Sequence, residues 1–408
     1  MIEYGLLGEK LGHSFSPQIH RALGGYDYRL LPTPPEEVEA LLRRRAFRGL
    51  NVTIPYKQTV IPLCDRVDPR AAAIGAVNTI VNRDGLLEGC NTDIDGLIDL
   101  ARRAGVDMAG KKVVILGSGG TSRTAQAAAG ELGAASVTVV SRGGADNYGN
   151  LSRHGDAQVL INTTPVGMYP RCGVSPVDLD LFPALTGVLD VVYNPLRTAL
   201  VLAAEDRGIP CSGGLPMLVS QARRAAELFT GTTIPDSRME EALAALTRQV
   251  RSVVLVGMPG CGKSAVGRAL ARRLGKEFVD MDALISARAG KSIPDIFAQD
   301  GEEAFRTLES QIAREAGSRT GCVISTGGGA VTRPENRDPL RQNGVVVHLT
   351  RDLALLPRSG RPVSQSTDLE ELWARRAPLY AAFADLTVPN SGAVEAAADT
   401  IVKELNAL

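Results

Sequence analysis

The chain is poor in several features that would mark particular functions. Aromatic residues make up only 4% of its 408 positions, with a single Trp, so a base-stacking nucleic-acid surface has little to build on. Neither sign of charge dominates, since 45 Lys+Arg stand against 45 Asp+Glu, and this argues against a DNA, RNA or anionic-membrane footprint. Only four His are present, and the six Cys (Cys64, Cys90, Cys172, Cys211, Cys261, Cys322) lack CxxC spacing. Neither a zinc site nor a disulfide framework is therefore expected. No stretch approaches the ~18 consecutive apolar residues of a membrane span. Met1-Ile2-Glu3-Tyr4 has no basic segment leading into an apolar run, so no signal peptide is expected. The expectation is a cytoplasmic protein acting on small molecules, with two to four domains at ~100–200 residues each.

Glycine, in contrast, is abundant, and two clusters of it follow short β-branched runs. Val113-Val114-Ile115-Leu116 leads into Gly117-Ser118-Gly119-Gly120 and then a helical pattern over Thr121–Leu132. Val253-Val254-Leu255-Val256 leads into Gly257-Met258-Pro259-Gly260-Cys261-Gly262-Lys263-Ser264 and a helical pattern over Ala265–Leu274. Strand, glycine turn and helix together aim unpaired backbone N–H groups and the helix dipole at a phosphate. Strands alternate with helical stretches throughout, so both halves read as α/β with parallel sheets. A closing helix over Pro235–Gln249 precedes the Val253 strand with no linker between them.

The second cluster fits GxxxxGK[ST] in the required context. Its amides would cradle the phosphates of ATP, Lys263 would bridge β- and γ-phosphate, and Ser264 would hold Mg²⁺. Downstream, Phe278-Val279-Asp280-Met281-Asp282 reads as a strand end. Alternate residues there share a face, so Asp280 and Asp282 are expected to point into the site together, one toward the metal and one toward a substrate hydroxyl. Solvated surface is the plainer reading of such a pair, as it is of Arg306 and Arg376, and Gly327-Gly328-Gly329 is by default a loop that needs positive φ.

These pieces resemble shikimate kinase over residues 251–408, through GMPGCGKS, Asp280/Asp282, FRTLE, GGGAV, the GRP of Gly360-Arg361-Pro362, and RRAPLY. The resemblance implies a P-loop α/β/α fold like that of the nucleoside monophosphate kinases, with Gly260, Cys261, Gly262, Lys263, Ser264 and Ala265 on ATP and Ser264 and Asp280 on Mg²⁺. It places Asp282, Arg306, Gly328 and Arg376 on shikimate and Arg361 on a lid. The family usually carries a further Arg shortly before the lid Arg. Ala354 stands there, with Arg358 as a substitute.

In the first half, the third glycine of a GxGxxG pattern is replaced by Ser122, and the next strand ends in Ser141-Arg142 rather than an acid. An acid there takes the NAD ribose, whereas Arg suits a 2′-phosphate, so NADP is expected. Gly12-His13-Ser14-Phe15-Ser16-Pro17 offers two hydroxyls before a helix, either as a plain N-cap at Ser16 with Pro17 at N1 or as a carboxylate site. Asn51-Val52-Thr53-Ile54-Pro55-Tyr56-Lys57 alternates like a strand, with Asn51, Thr53 and Pro55 on one face. Gly75-Ala76-Val77-Asn78-Thr79 and Asn91-Thr92-Asp93 add further polar groups inside apolar stretches, a set suited to a polyhydroxylated ligand.

Residues 1 to about 248 resemble shikimate dehydrogenase, through GHSFSP, NVTIPYK, GAVNT, NTD, GSGG, SR, NTTPVGM, DVVYNPLRT and GGLPMLVSQA in that order. The resemblance implies an α/β substrate domain over 1–97, a Rossmann NADP(H) domain over 98–220, and helices at 221–248 that return to close the first. Ser14 and Ser16 would bind the carboxylate of 3-dehydroshikimate, and Asn51, Thr53, Asn78 and Gln221 its hydroxyls. Lys57 and Asp93 would form the catalytic pair, with Tyr193 close by. Gly117, Ser118, Gly119, Gly120, Thr121, Ser141, Arg142, Val191, Gly214 and Met217 would face the cofactor. The stretch from Arg142 to Asn162 is shorter than in many relatives. A metabolite sensor built from decayed copies of these enzymes predicts loss of the chemistry-bearing residues, all of which are present. A quinate- and NAD-preferring dehydrogenase half is the other alternative, against which Arg142 argues.

Overall fold

The computed structural model describes residues 2–12, 14–356 and 368–407. Its backbone falls into two compact units. The first comprises Met1–Gly167, Val174–Asn194 and Leu200–Thr247, and the second comprises Arg248–Leu408 with the short stretches Met168–Gly173 and Pro195–Ala199. The helix Asp236–Val250 is followed directly by the strand Ser252–Val256, so Arg251 alone separates them.

Two sheets build the first unit. One is six-stranded and mixed, in the order Tyr28–Pro32, Ile2–Gly8, Phe47–Val52, Thr79–Arg83, Leu86–Cys90, Arg66–Val67, with antiparallel pairing only at the third and fourth and the fourth and fifth strands. The other is five-stranded and wholly parallel, in the order Cys211–Ser212, Gly187–Asp190, Val159–Asn162, Lys112–Leu116, Ser136–Val140. Its central strands read as continuous apolar runs because helices cover both faces, and Val113, Val114, Ile115 and Leu116 are all buried. Leu215–Thr230 reaches back to the first sheet, where Phe229 stacks on Tyr4 at 5.2 Å. Arg238, on the following helix, donates to the Ala22 carbonyl at 3.0 Å. The last helices therefore return onto the first sheet through a buried apolar cluster of Tyr4, Leu6, Tyr28, Val81, Ala225 and Phe229 and a charge-assisted hydrogen bond.

The second unit carries a parallel sheet in the order Glu277–Asp280, Cys322–Ser325, Ser252–Val256, Gly344–Thr350, Leu386–Pro389. Its middle strand is buried along its whole length, as a strand covered on both faces must be. The glycine loop leaves the C-terminal end of that strand, where open α/β sheets place their ligand crevices. Gly257 needs its glycine, because a Cβ there would stand 2.4 Å from the Leu349 carbonyl.

Three local expectations are corrected. The strand through Asn51 ends at Val52, and Thr53 to Lys57 runs as a turn closed by Tyr56 N donating to Thr53 O. The proline at position 55 has no N–H for a ladder, so Asn51, Thr53 and Pro55 do not share a strand face. Asp282 lies in the first turn of the helix Met281–Ala289, not on the strand with Asp280. Ser16 is the first residue of the helix Ser16–Gly24 and not its N-cap, which is Phe15, and the Ser14 hydroxyl accepts the Ser16 N–H at 3.2 Å.

Candidate active sites

A cavity of about 250 Å³ in the first unit is lined by Ser14, Ser16, Asn51, Thr53, Lys57, Asn78, Asp93, Tyr193 and Gln221, together with Thr121, Val191, Gly214 and Met217. Residues of the first sheet, of the loop after the strand Gly187–Asp190 and of the returning helix thus meet in one place. Lys57 Nζ lies 2.6 Å from Asp93 Oδ2, and the two side chains are 25% and 15% exposed. Neither is fixed by its own side chain alone. The Lys57 carbonyl accepts Val77 N–H at 2.8 Å, and Asp93 N–H donates to Asn91 Oδ1 at 3.1 Å. Asn78 is held by Thr92, whose N–H donates to Asn78 Oδ1 at 2.7 Å and whose hydroxyl accepts from Nδ2 at 3.1 Å. Ser14 and Ser16 join hydroxyl to hydroxyl at 3.1 Å.

Asn51 lines the cavity but is bonded on both sides of its amide. Tyr28 donates to its Oδ1 at 2.7 Å, and its Nδ2 donates to Thr79 Oγ1 at 3.0 Å. His20 stacks on Tyr28 at 4.0 Å and is kept neutral by burial, its pKa pushed down to about 3. Burial likewise pushes the Tyr193 phenol up. Thr79, Thr92 and Asn91 are structural partners that the motif strings contained without revealing their part. His20 and Tyr28 carried no local signal at all.

The residues reserved for a dinucleotide pyrophosphate fit that group. The helix Gly120–Glu131 has Gly119 at its N-cap and no side-chain cap, and a Cβ on either Gly119 or Gly120 would meet nothing within 4 Å. Backbone N–H groups and open space therefore coincide at one helix N-terminus, beside Ser118. The Gly117 φ is +104°, and a Cβ there would strike Thr163 and Thr164 at 2.9 Å. Arg142 is exposed just past the neighbouring strand, next to Ser141, and has no ion-pair partner among the described residues. The short segment after it is closed by Ser141 N–H to Asp146 O at 3.1 Å and by His154 against Asp146 at 2.7 Å.

In the second unit a cavity of about 470 Å³ is lined by the phosphate loop, Asp282, Arg306, Glu309, Gly327 to Gly329 and Arg376, with Phe297 and Phe305 on its apolar side. Gly260, Gly262, Lys263, Ser264 and Ala265 all reach it, whereas Cys261 is buried behind the loop. Lys263 is buried, its ammonium donating to the Gly257 and Met258 carbonyls at 2.8 and 3.1 Å. Ser264 Oγ lies 3.3 Å from Ser325 Oγ, and Ser325 pairs in register with Asp280. Ser264 lines the cavity and would offer Mg²⁺ a hard oxygen donor, whereas Asp280 is not among the residues that line it. The Asp280 carboxylate caps its helix through the Asp282 N–H at 3.1 Å.

Arg306 and Arg376 are each 6% exposed, and both face this cavity. Arg306 Nη1 donates to Glu309 Oε2 at 2.7 Å and Nη2 to Glu302 Oε1 at 3.1 Å. Glu309 is 1% exposed, and burial raises its carboxyl while Arg306 opposes the rise. Its Oε1 has no hydrogen-bond partner among the described residues. Glu309 belongs to the FRTLE string, but only its spacing of three from Arg306 hinted at the pairing. Arg361 and Arg358 lie outside the described residues.

Family models match residues 6–80 as a shikimate dehydrogenase substrate binding domain, 214–244 as a shikimate 5′-dehydrogenase C-terminal domain, and 259–406 as a shikimate kinase. A shikimate dehydrogenase (NADP⁺) from Moorella thermoacetica is 39% identical over 268 residues, covering 58% of this chain and 91% of that protein. The structure of shikimate 5-dehydrogenase from Thermus thermophilus, in complex with NADP(H) and shikimate, superposes with a TM-score of 0.54 at 34% identity, over 60% of this chain and 99% of that one. A quinate dehydrogenase from Corynebacterium glutamicum in complex with NAD gives 0.55 at 29% identity, over 60% and 99%. The chain belongs to the shikimate dehydrogenase family and carries a shikimate kinase domain behind it.

Proposed function

We propose that the chain performs two consecutive steps of the shikimate pathway: NADPH-dependent reduction of 3-dehydroshikimate to shikimate, then ATP-dependent phosphorylation of shikimate to shikimate 3-phosphate. The observation that carries this reading is the Lys57–Asp93 pair at 2.6 Å inside a cavity otherwise walled by hydroxyls and amides. In the first reaction Ser14 and Ser16 bind the substrate carboxylate, and Thr53, Asn78 and Gln221 the ring oxygens, with Asn51 and Tyr193 completing the wall. NADPH supplies hydride to the C3 carbonyl carbon when bound. Lys57 gives its proton to the carbonyl oxygen as charge develops there, and Asp93 holds the ammonium in place. Positioned acid–base help of this kind is worth ~10²–10⁴-fold. Gly117 to Thr121 would hold the pyrophosphate, Ser141 and Arg142 the 2′-phosphate, and Val191, Gly214 and Met217 the nicotinamide end.

In the second reaction Arg306 and Arg376 grip the shikimate carboxylate, for which guanidinium offers paired donors. Asp282 accepts the C3 hydroxyl proton, the C3 oxygen bonds to the γ-phosphorus, and the bond to the β–γ bridging oxygen breaks to release ADP. Lys263 moves from its loop carbonyls to the phosphate oxygens. Ser264 and Asp280 would hold Mg²⁺, whose charge stabilises the leaving phosphates. Arg142 favours NADP over the NAD-dependent alternative. The test measures NADPH oxidation with 3-dehydroshikimate and ADP release with shikimate, separately, alongside quinate with NAD. Turnover in both of the first two assays is the expected result. Faster turnover of quinate with NAD, or none in either assay, overturns the reading.

A further inference from the structure

We propose that Tyr380 is a positioning residue of the kinase site, holding the glycine loop through the Gly328 carbonyl on which Arg376 also rests and so setting the Arg376 guanidinium for the shikimate carboxylate. The inference rests on the kinase reading above. Tyr380 lies on the helix Leu369–Phe383 and is fully buried. Its hydroxyl donates to Gly328 O at 2.6 Å, and Arg376 Nη1, one turn earlier on the same helix, donates to the same oxygen at 3.1 Å. Both lone pairs of that carbonyl are therefore filled, which fixes the peptide plane between Gly328 and Gly329.

That plane matters because each glycine of the loop is pressed against a different wall of the site. A Cβ on Gly327 would lie 2.6 Å from Glu309 Oε1, one on Gly328 2.6 Å from Pro259 Cγ, and one on Gly329 2.2 Å from Arg306 Nη1. Rotation of the loop would thus run into the buried acid, the phosphate loop or the carboxylate clamp.

Arg376 spends an Nη1 N–H on the loop and keeps its other donors for a carboxylate, so the carbonyl that Tyr380 holds also fixes where the guanidinium sits. The Tyr380 ring is placed for this by His348, stacked at 4.8 Å, with Trp373 6.4 Å away. His348 Nε2 has no hydrogen-bond partner among the described residues, so its ring braces Tyr380 by packing. Burial raises the Tyr380 phenol, and it stays a donor at any ordinary assay pH.

The test is Tyr380→Phe in the full chain, which removes one oxygen and keeps the ring. Loss of one net hydrogen bond should raise the shikimate KM ~3- to 10-fold while kcat and the ATP KM stay within about twofold, with no change in this ratio across neutral to mildly alkaline pH. Phe383→Leu is the control, a buried ring on the same helix with no bond to the loop. It should lower the kinase melting temperature and leave the shikimate KM alone. Trp373, the single Trp of the chain, gives an independent shikimate Kd by fluorescence titration, expected to move with KM. A shikimate KM unchanged in Tyr380→Phe, an equal rise in the ATP KM, or an equal rise in Phe383→Leu overturns the inference. Absence of shikimate phosphorylation by the wild-type chain would instead overturn the kinase reading on which it rests.

Discussion

Glu309→Leu should destabilise the kinase unit far more than an ordinary surface substitution. The carboxylate is 1% exposed and holds Arg306, itself 6% exposed, at 2.7 Å. Without it, the guanidinium stays buried with Glu302, whose side chain is 62% exposed, as its one remaining ion-pair partner among the described residues. Breaking a buried pair by removing one partner costs about 3–5 kcal/mol. At about 2–4 °C per kcal/mol for a unit of this size, the kinase melting transition should fall by about 6–20 °C. The dehydrogenase transition should stay in place. Replacing both partners with apolar side chains of similar size is often neutral, so Arg306→Met with Glu309→Leu should recover most of the lost stability. It should not recover shikimate binding, because Arg306, one of the two residues proposed to grip the carboxylate, is gone. Differential scanning calorimetry of the two single variants and the double variant makes the comparison. A fall of less than about 1 kcal/mol for Glu309→Leu, or a double variant as unstable as the sum of the two singles, would refute the reasoning.

Burial raises the Glu309 carboxyl above its unfolded value, so the native state binds more protons than the unfolded state between the two values, and stability should fall as pH rises through that window. Glu309→Gln should flatten this slope in the kinase melting temperature measured from the ordinary glutamate range upward, and an unchanged slope would remove Glu309 as its source. Arg142→Asp should raise the NADPH KM about ten- to a hundredfold, since a charge-assisted hydrogen bond is worth ~1.5–3 kcal/mol; kinetics with NADPH and NADH side by side check it, and an unchanged preference would contradict the 2′-phosphate assignment. Lys57→Ala should lower the dehydrogenase kcat ~10²–10⁴-fold with shikimate phosphorylation intact, and a variant with near-normal reduction would remove Lys57 from the proton step.

The two phosphate loops were legible because their function is local. A run such as Val253–Val256, the glycines after it and Lys263–Ser264 are contiguous, and both the strand and the helix they predict are present. The polar residues of the dehydrogenase cavity were legible only as scattered groups, since Ser14 and Gln221 are brought together by a helix that returns across the first sheet. Boundaries failed where one residue decided them. The proline at position 55 stops the strand that the alternation from Asn51 suggested, and Asp280 as a helix cap turns Asp282 out of the strand. Glu309 and Tyr380 were not legible as site residues. A Glu on an amphipathic helix and a Tyr in RRAPLY become informative only when burial and the Gly328 carbonyl are known.

If one chain makes shikimate and then phosphorylates it, both steps can be followed in a single mixture. The purified protein is given 3-dehydroshikimate, NADPH, ATP and Mg²⁺, and NADPH consumption and shikimate 3-phosphate are followed together by absorbance and mass spectrometry. Shikimate should rise first and then be converted to shikimate 3-phosphate, Lys57→Ala should block both products from 3-dehydroshikimate, and Lys263→Ala should stop the sequence at shikimate. NADPH consumption by wild-type protein that never leads to shikimate 3-phosphate, or phosphorylation that survives Lys263→Ala, would contradict the two-step reading.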